Sequence, residues 1–293
     1  MREFQRILVP LDGSATAARC LRCATWLAER LGARLHILSA TDVPRTAREE
    51  LVRLKVPEEH WTRIELHRVD ALPEQAILET TECLDIDLLV MSARGCSADT
   101  TETSSRKLVG HVARAVIERS TVPVLLLPRD CDAGVPWTSA LVPVSGELQS
   151  DEALAIAVGL GRTLGLDVVV AHVADERAGE DGLEGAARYP DAPHHEYPEQ
   201  LSEFVRRALP HCAADDRSAI KDILLCRGEV AAELLKVVQR LGISLLVVAW
   251  KGRFMTGHAQ VLKELIEASG RPLLLIKAAA RTPFRLKVGE DIP

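Results

Sequence analysis

The stretch Arg6-Ile7-Leu8-Val9-Pro10-Leu11-Asp12-Gly13-Ser14 decides the fold. From Ile7 it is a short apolar run that stops at turn residues, the pattern of a strand buried on both faces of a parallel sheet. Apolar side chains then recur at positions 17, 20, 21, 24, 27, 28 and 31, one stripe at helical spacing, and Gly32 ends it. The series continues with predicted strands at 35–40, 64–69, 88–92 and 122–127, and with helices from about Pro73 and about Gly110. Strands that alternate with helices give a parallel sheet covered on both faces.

Ala140-Leu141-Val142-Pro143-Val144 starts the same series again. A helix at 151–164, strands at 168–173 and 220–226, a helix at 230–241, a strand at 245–249, a helix at 261–267 and a strand at 273–276 come in matching order. The fold class is therefore α/β, with two tandem doubly wound domains over residues 1–132 and 137–279 and a C-terminal tail at 280–293. Residues 130–138 carry Asp, Gly and Pro, as a short linker does. Residues 41–63 and 174–219 interrupt the pattern, and each is expected to hold a helix and a mobile loop.

Composition narrows the function classes. With 36 basic against 42 acidic side chains the net charge is −6, so the surface as a whole does not attract a phosphate backbone and nucleic acid is not the expected partner. No apolar run is long enough to span a bilayer, and residues 1–14 lack the apolar core of a signal peptide, which gives a cytoplasmic expectation. Seven cysteines make an odd set in a chain large enough to need no staples, so they read mostly as small core residues. Cys20 and Cys23 form a Cys-x-x-Cys, but in the middle of the first helix rather than at an exposed helix start, where a thiolate is stabilised.

Three motifs carry a resemblance. They are the opening strand with Pro10 and Asp12-Gly13-Ser14, Asp87-Leu88-Leu89-Val90-Met91 before a glycine-containing loop, and Gly110-x-Val-Ala-x-x-Val with Val122-Pro123-Val-Leu-Leu-Leu-Pro128 after it. Together they closely resemble the universal stress protein family, over nearly all of the first 128 residues and, more worn, over the second half. The resemblance implies a five-stranded parallel sheet of order 3-2-1-4-5 in each half, with a ligand crevice between the loops after strands 1 and 4. It also implies that the two halves pack through their last strands as an intramolecular pseudo-dimer, with a homodimer left open.

Nucleotide-binding members resemble one another in a loop of the form Gly-x-x-Gly, nine residues, Gly, then Ser or Thr, which opens a helix. Glycines let the backbone approach phosphates, and the helix N-terminus supplies N–H groups and a partial positive charge. Here the first half reads Ser92-Ala93-Arg94-Gly95, then residues 96–109, then Gly110-His111. The loop is longer than the family's and lacks the first glycine and the closing hydroxyl, while Arg94 and residues 104–107 offer other anion contacts. Asp12 matches the family acid that lies against the nucleoside, and Ala40 the position whose backbone meets the base. The implied binding set is Asp12, Ala40, Ser92, Arg94, Gly95, Gly110 and His111, and the implied ligand is ATP or ADP in the first domain only. In the second half Ser145 stands where the acid would be, Trp250 replaces a small residue, and the loop is shortened, so no phosphate cradle is expected there.

Plainer readings stand beside these. Asp12 could be the N-cap of the first helix, and His111 an exposed histidine without a role. His194, His195, His211 and Cys212 fit no known zinc spacing and read as a solvated loop. Glu49, Glu50, Glu58 and Glu59 read as solvated faces. The expected function is a stress-associated regulatory protein that binds an unidentified protein partner. The alternatives are a nucleotide-free scaffold with a partner or apolar ligand in the crevice, and a slow ATP hydrolase. Residues 96–109, nearly free of apolar side chains, are expected to act as a lid.

Overall fold

The structure, a computed structural model, describes residues 4–95, 108–131, 134–145, 148–174, 218–254 and 259–277. Residues 96–107 of the expected lid at 96–109, the His194 to Cys212 segment and the tail at 280–293 lie outside the described residues.

Among the described residues each predicted strand and helix stands where its periodicity put it, with ends shifted by a few residues, while most of the 174–219 segment lies outside them. The first half runs β1 (Arg6–Pro10), α1 (Ala15–Leu31), β2 (Arg34–Ala40), α2 (Ala47–Arg53), β3 (Ile64–Val69), α3 (Pro73–Cys83), β4 (Leu88–Ser92), α4 (His111–Arg119) and β5 (Val124–Leu127). The second runs β6 (Ser139–Pro143), α5 (Leu148–Leu164), β7 (Asp167–Ala174), β8 (Ile220–Arg227), α6 (Val230–Leu241), β9 (Leu245–Trp250), α7 (Gln260–Ala268) and β10 (Leu273–Lys277). Helix α1 shows why. Ser14 caps it by accepting from the Ala17 N–H, Gly32 ends it at φ 65°, and of the seven predicted stripe residues all but Leu31 are buried.

The strands form one hydrogen-bonded sheet of order β3-β2-β1-β4-β5-β10-β9-β6-β7-β8. Each half is the expected 3-2-1-4-5 and is parallel throughout. The halves meet where β5 and β10 pair antiparallel, with Leu125 opposite Leu274 at the centre. An antiparallel seam between like strands is what a pseudo-two-fold axis through the sheet requires. Leu125, Leu126, Leu274 and Leu275 are all buried there, and each such side chain contributes about 2 kcal/mol by leaving water.

Alternation along the strands sends side chains to two layers. Ile7, Val9 and Ile37 face a core shared with α1 and α5, whereas Leu8, Leu38 and Leu89 face one shared with α3, α4, α6 and α7. Equivalent helices of the two halves lie on the same side of the sheet, and Trp26 of α1 meets the buried Trp137 edge to face at 5.1 Å. Among the described residues no helix is long and apolar enough to cross a membrane. Cys20, Cys23 and Cys131 are buried, and burial pushes the Cys20 and Cys23 thiols well above the ordinary range, so both are inert core residues. Cys83 is exposed and Cys226 half-buried, apart from that core.

Candidate functional site

The strand order reverses between β1 and β4, and the crevice this leaves at their C-terminal ends holds a cavity of about 520 Å³. Asp12, Ala40, Ser92, Arg94, Gly95, Gly110 and His111 all line it. Leu38, Ile77 and Met91 make an apolar wall, and Arg45 and Arg53 of the segment after β2 stand on the polar side.

The loop after β4 is fixed at both ends. The Arg94 carbonyl accepts from Ser92 Oγ at 2.7 Å and from Thr16 Oγ1 at 3.2 Å, which ties the loop to the start of α1. The Gly110 N–H donates to the Ala93 carbonyl at 2.8 Å and so closes the loop where α4 begins. Gly110 caps α4 without a side chain. The first-turn N–H groups of a helix lack intrahelical acceptors, and residues 111–113 of α4 line the cavity with the positive end of its dipole. His111, the first residue of that turn, is exposed to the opening.

Asp12 is not the helix cap; that reading is corrected, because the Ser14 hydroxyl takes the role. The carboxylate of Asp12 instead accepts from the Ser14 N–H at 2.9 Å and stays exposed at the cavity edge. Gly95 makes this position possible, since a Cβ there would lie 2.8 Å from Asp12 Oδ2.

Glu50 is the residue that sequence reasoning misplaced. It is fully buried rather than solvated. Ser39 Oγ donates to it at 2.6 Å, Arg45 Nη1 at 3.2 Å and Arg53 Nε at 3.0 Å, with Arg53 Nη2 at 2.5 Å. The Arg53 hydrogen bonds, outweighing the cost of burial, hold its carboxyl down at about 2. The ionised Glu50 thereby fixes two guanidinium groups against the cavity, and Arg53 Nη1 also reaches the Asp12 carbonyl at 3.4 Å. A signal was present in the sequence. Thr46-x-x-Glu49 is a capping box, and a helix started at Thr46 puts Glu50 and Arg53 on one face.

In the second half the loop after the equivalent strand carries large apolar side chains instead. Strand register makes Ala249 the counterpart of Ser92, and Trp250 that of Ala93, since Leu89 pairs with Val124 as Leu246 pairs with Leu273. Trp250 is buried and meets the buried Phe254 in a T-shaped contact at 6.0 Å. The Phe254 N–H donates to Glu118 Oε1 at 2.8 Å, and Lys277 Nζ to the Glu118 carbonyl at 2.6 Å, so this loop is turned toward α4 of the first half. Helix α7 starts from Ala259 at φ 54°, a left-handed conformation that a glycine would hold without strain.

The universal stress protein family profile matches residues 3–61, 45–128 and 137–277. A universal stress protein of Methanocaldococcus jannaschii is 24% identical over 146 residues, covering 43% of this chain and 83% of that protein. Among solved structures, a universal stress protein from Archaeoglobus fulgidus is 16% identical and superposes with a TM-score of 0.63 over 94% of this chain and 100% of its own. One from Pseudomonas aeruginosa is 13% identical, with a TM-score of 0.60 over 94% of this chain and 93% of its own.

Proposed function

The chain belongs to the universal stress protein family, and from that premise we propose that it is a stress-associated binding protein whose first half takes an adenine nucleotide. The observation that carries this reading is the cavity between β1 and β4, of a size ordinary for small-molecule sites. Its two sides suit the two ends of such a ligand. An adenine ring would pack on Leu38, Ala40, Ile77 and Met91, with Asp12 accepting from hydroxyl or amino groups of the nucleoside. The phosphates would lie at the start of α4 and meet first-turn N–H groups, with Arg94 close by. The second half, with the buried Trp250 at the register position of Ala93, serves as the packing partner that completes the sheet across β5 and β10.

Titration of a fluorescent ATP analogue into the full chain and into Asp12→Ala and Gly110→Val variants tests this. A Cβ at Gly110 meets only ordinary contacts, the nearest at 3.5 Å, so the valine alters the cavity mouth without forcing the backbone. Both variants should bind at least about tenfold more weakly, Asp12→Ala through the loss of roughly one good polar contact and Gly110→Val through bulk at the cavity mouth. Unchanged affinity in both would move the site elsewhere.

A further inference from the structure

A second group of chemistry-bearing side chains lies outside the cavity. His36 of β2 pairs in register with Glu65 of β3, and Leu38 with His67, so alternation puts His36, Glu65 and His67 on one face of the sheet beside its edge strand. His36 Nδ1 is 3.0 Å from His67 Nε2 and 3.5 Å from Glu65 Oε2, and the three ligand atoms all lie within 4.8 Å of one another. We propose that His36, Glu65 and His67 form a zinc-class divalent metal site that clips the edge strand β3 to β2.

The distances suit the ion. Four ligands held tetrahedrally at about 2.0–2.1 Å stand roughly 3.3–3.4 Å apart, and the two measured separations bracket that value. The donors are the right ones, since two imidazoles and a carboxylate are borderline ligands that zinc accepts, and the carboxylate supplies negative charge. Glu65 is exposed and His67 half-buried, which leaves the fourth position to water.

A further observation argues against a histidine kept here only for packing, and the second half supplies it. There the register places Val169, Asp222 and Leu224 at the equivalent positions, and the buried Val169 packs the same layer of the fold. The fold therefore does not require an imidazole at this point of β2.

The test is calorimetric titration of zinc into the chelator-treated full chain, repeated with Glu65→Gln and His67→Ala, two partly exposed positions where substitution leaves the core intact. Cobalt in place of zinc gives a visible spectrum that reports tetrahedral coordination. Wild type should bind one equivalent that both variants weaken by more than about 100-fold, beyond what losing an outer partner of a ligand costs. The cobalt spectrum and a zinc-induced rise in Tm should be lost with it. Equal stoichiometry and affinity in all three proteins, or no zinc bound by wild type, would overturn the assignment. Neither result bears on the nucleotide reading, which rests on different residues.

Discussion

The two halves share a strand order and differ in the loop that leaves the fourth strand. After β4, Ala93 and Gly95 keep side chains out of the crevice, and the cavity stays open beside Asp12. After β9, Trp250 stands at the position of Ala93 and is packed against Phe254, and the loop bonds to Glu118 of the neighbouring half. Strand β2 differs from its counterpart in the same way. Ser39 donates to the buried Glu50, whereas His172, at the same register position of β7, uses Nδ1 to contact the Val144 carbonyl at 2.8 Å. One fold can thus be kept while the side chains beside its switch point change from small to large, because the sheet depends on strand packing and the crevice on a few loop side chains.

The largest expected effect is at Trp250. If the indole is core, Trp250→Ala should lower stability by about 3–5 kcal/mol in urea denaturation while the first half keeps its affinity for the ATP analogue. A variant as stable as wild type would break the comparison. Next comes the reverse exchange. Ala93→Trp brings the second half's residue into the first, and it should weaken binding by more than about 100-fold, at a cost of about 1–3 kcal/mol of stability from overpacking. Retention of affinity in a folded Ala93→Trp protein would show that the open crevice is not what separates the halves.

Glu50 sharpens the comparison through pH. Its folded-state pKa is depressed from an ordinary 4.5 to about 2, so its contribution to stability is present above pH 4.5 and is lost as the pH falls toward 2. Glu50→Gln should therefore be about 3 kcal/mol less stable at neutral pH and should lose less stability across that acid window, as monitored by denaturant melts at a series of pH values. Parallel pH profiles for the two proteins would remove Glu50 as the anchor of Arg45 and Arg53. The smallest effect belongs to Gly95→Ala. The added methyl group, 2.8 Å from Asp12 Oδ2, should displace the carboxylate and weaken the analogue by about tenfold with little change in Tm.

Periodicity was enough for the sheet and its helices because each strand is buried on both faces and each helix on one, and both patterns are written along the chain. The seven candidate residues were legible only through the family resemblance, which picked them out motif by motif; that all seven line one cavity is what the structure adds. The Glu50 cluster was read wrongly. Adjacent acids before a short helix look solvated until Ser39 from the neighbouring strand and two arginines are brought to one of them. Nothing local marks His36, Glu65 and His67, since His36 and Glu65 stand 29 positions apart and only strand register joins them.

The sequence by itself determined the α/β class, the repeat, and the strand order its family resemblance implied, because local pattern and short connections leave a doubly wound sheet few alternatives. The resemblance had implied that the last strands join the halves; tertiary structure alone decided the antiparallel register in which β5 and β10 meet, the burial of Trp250 where the first half has Ala93, and which charged groups are buried. Those outcomes depend on contacts between residues far apart in the chain, and the energies of such contacts are set by packing that no local window of sequence contains.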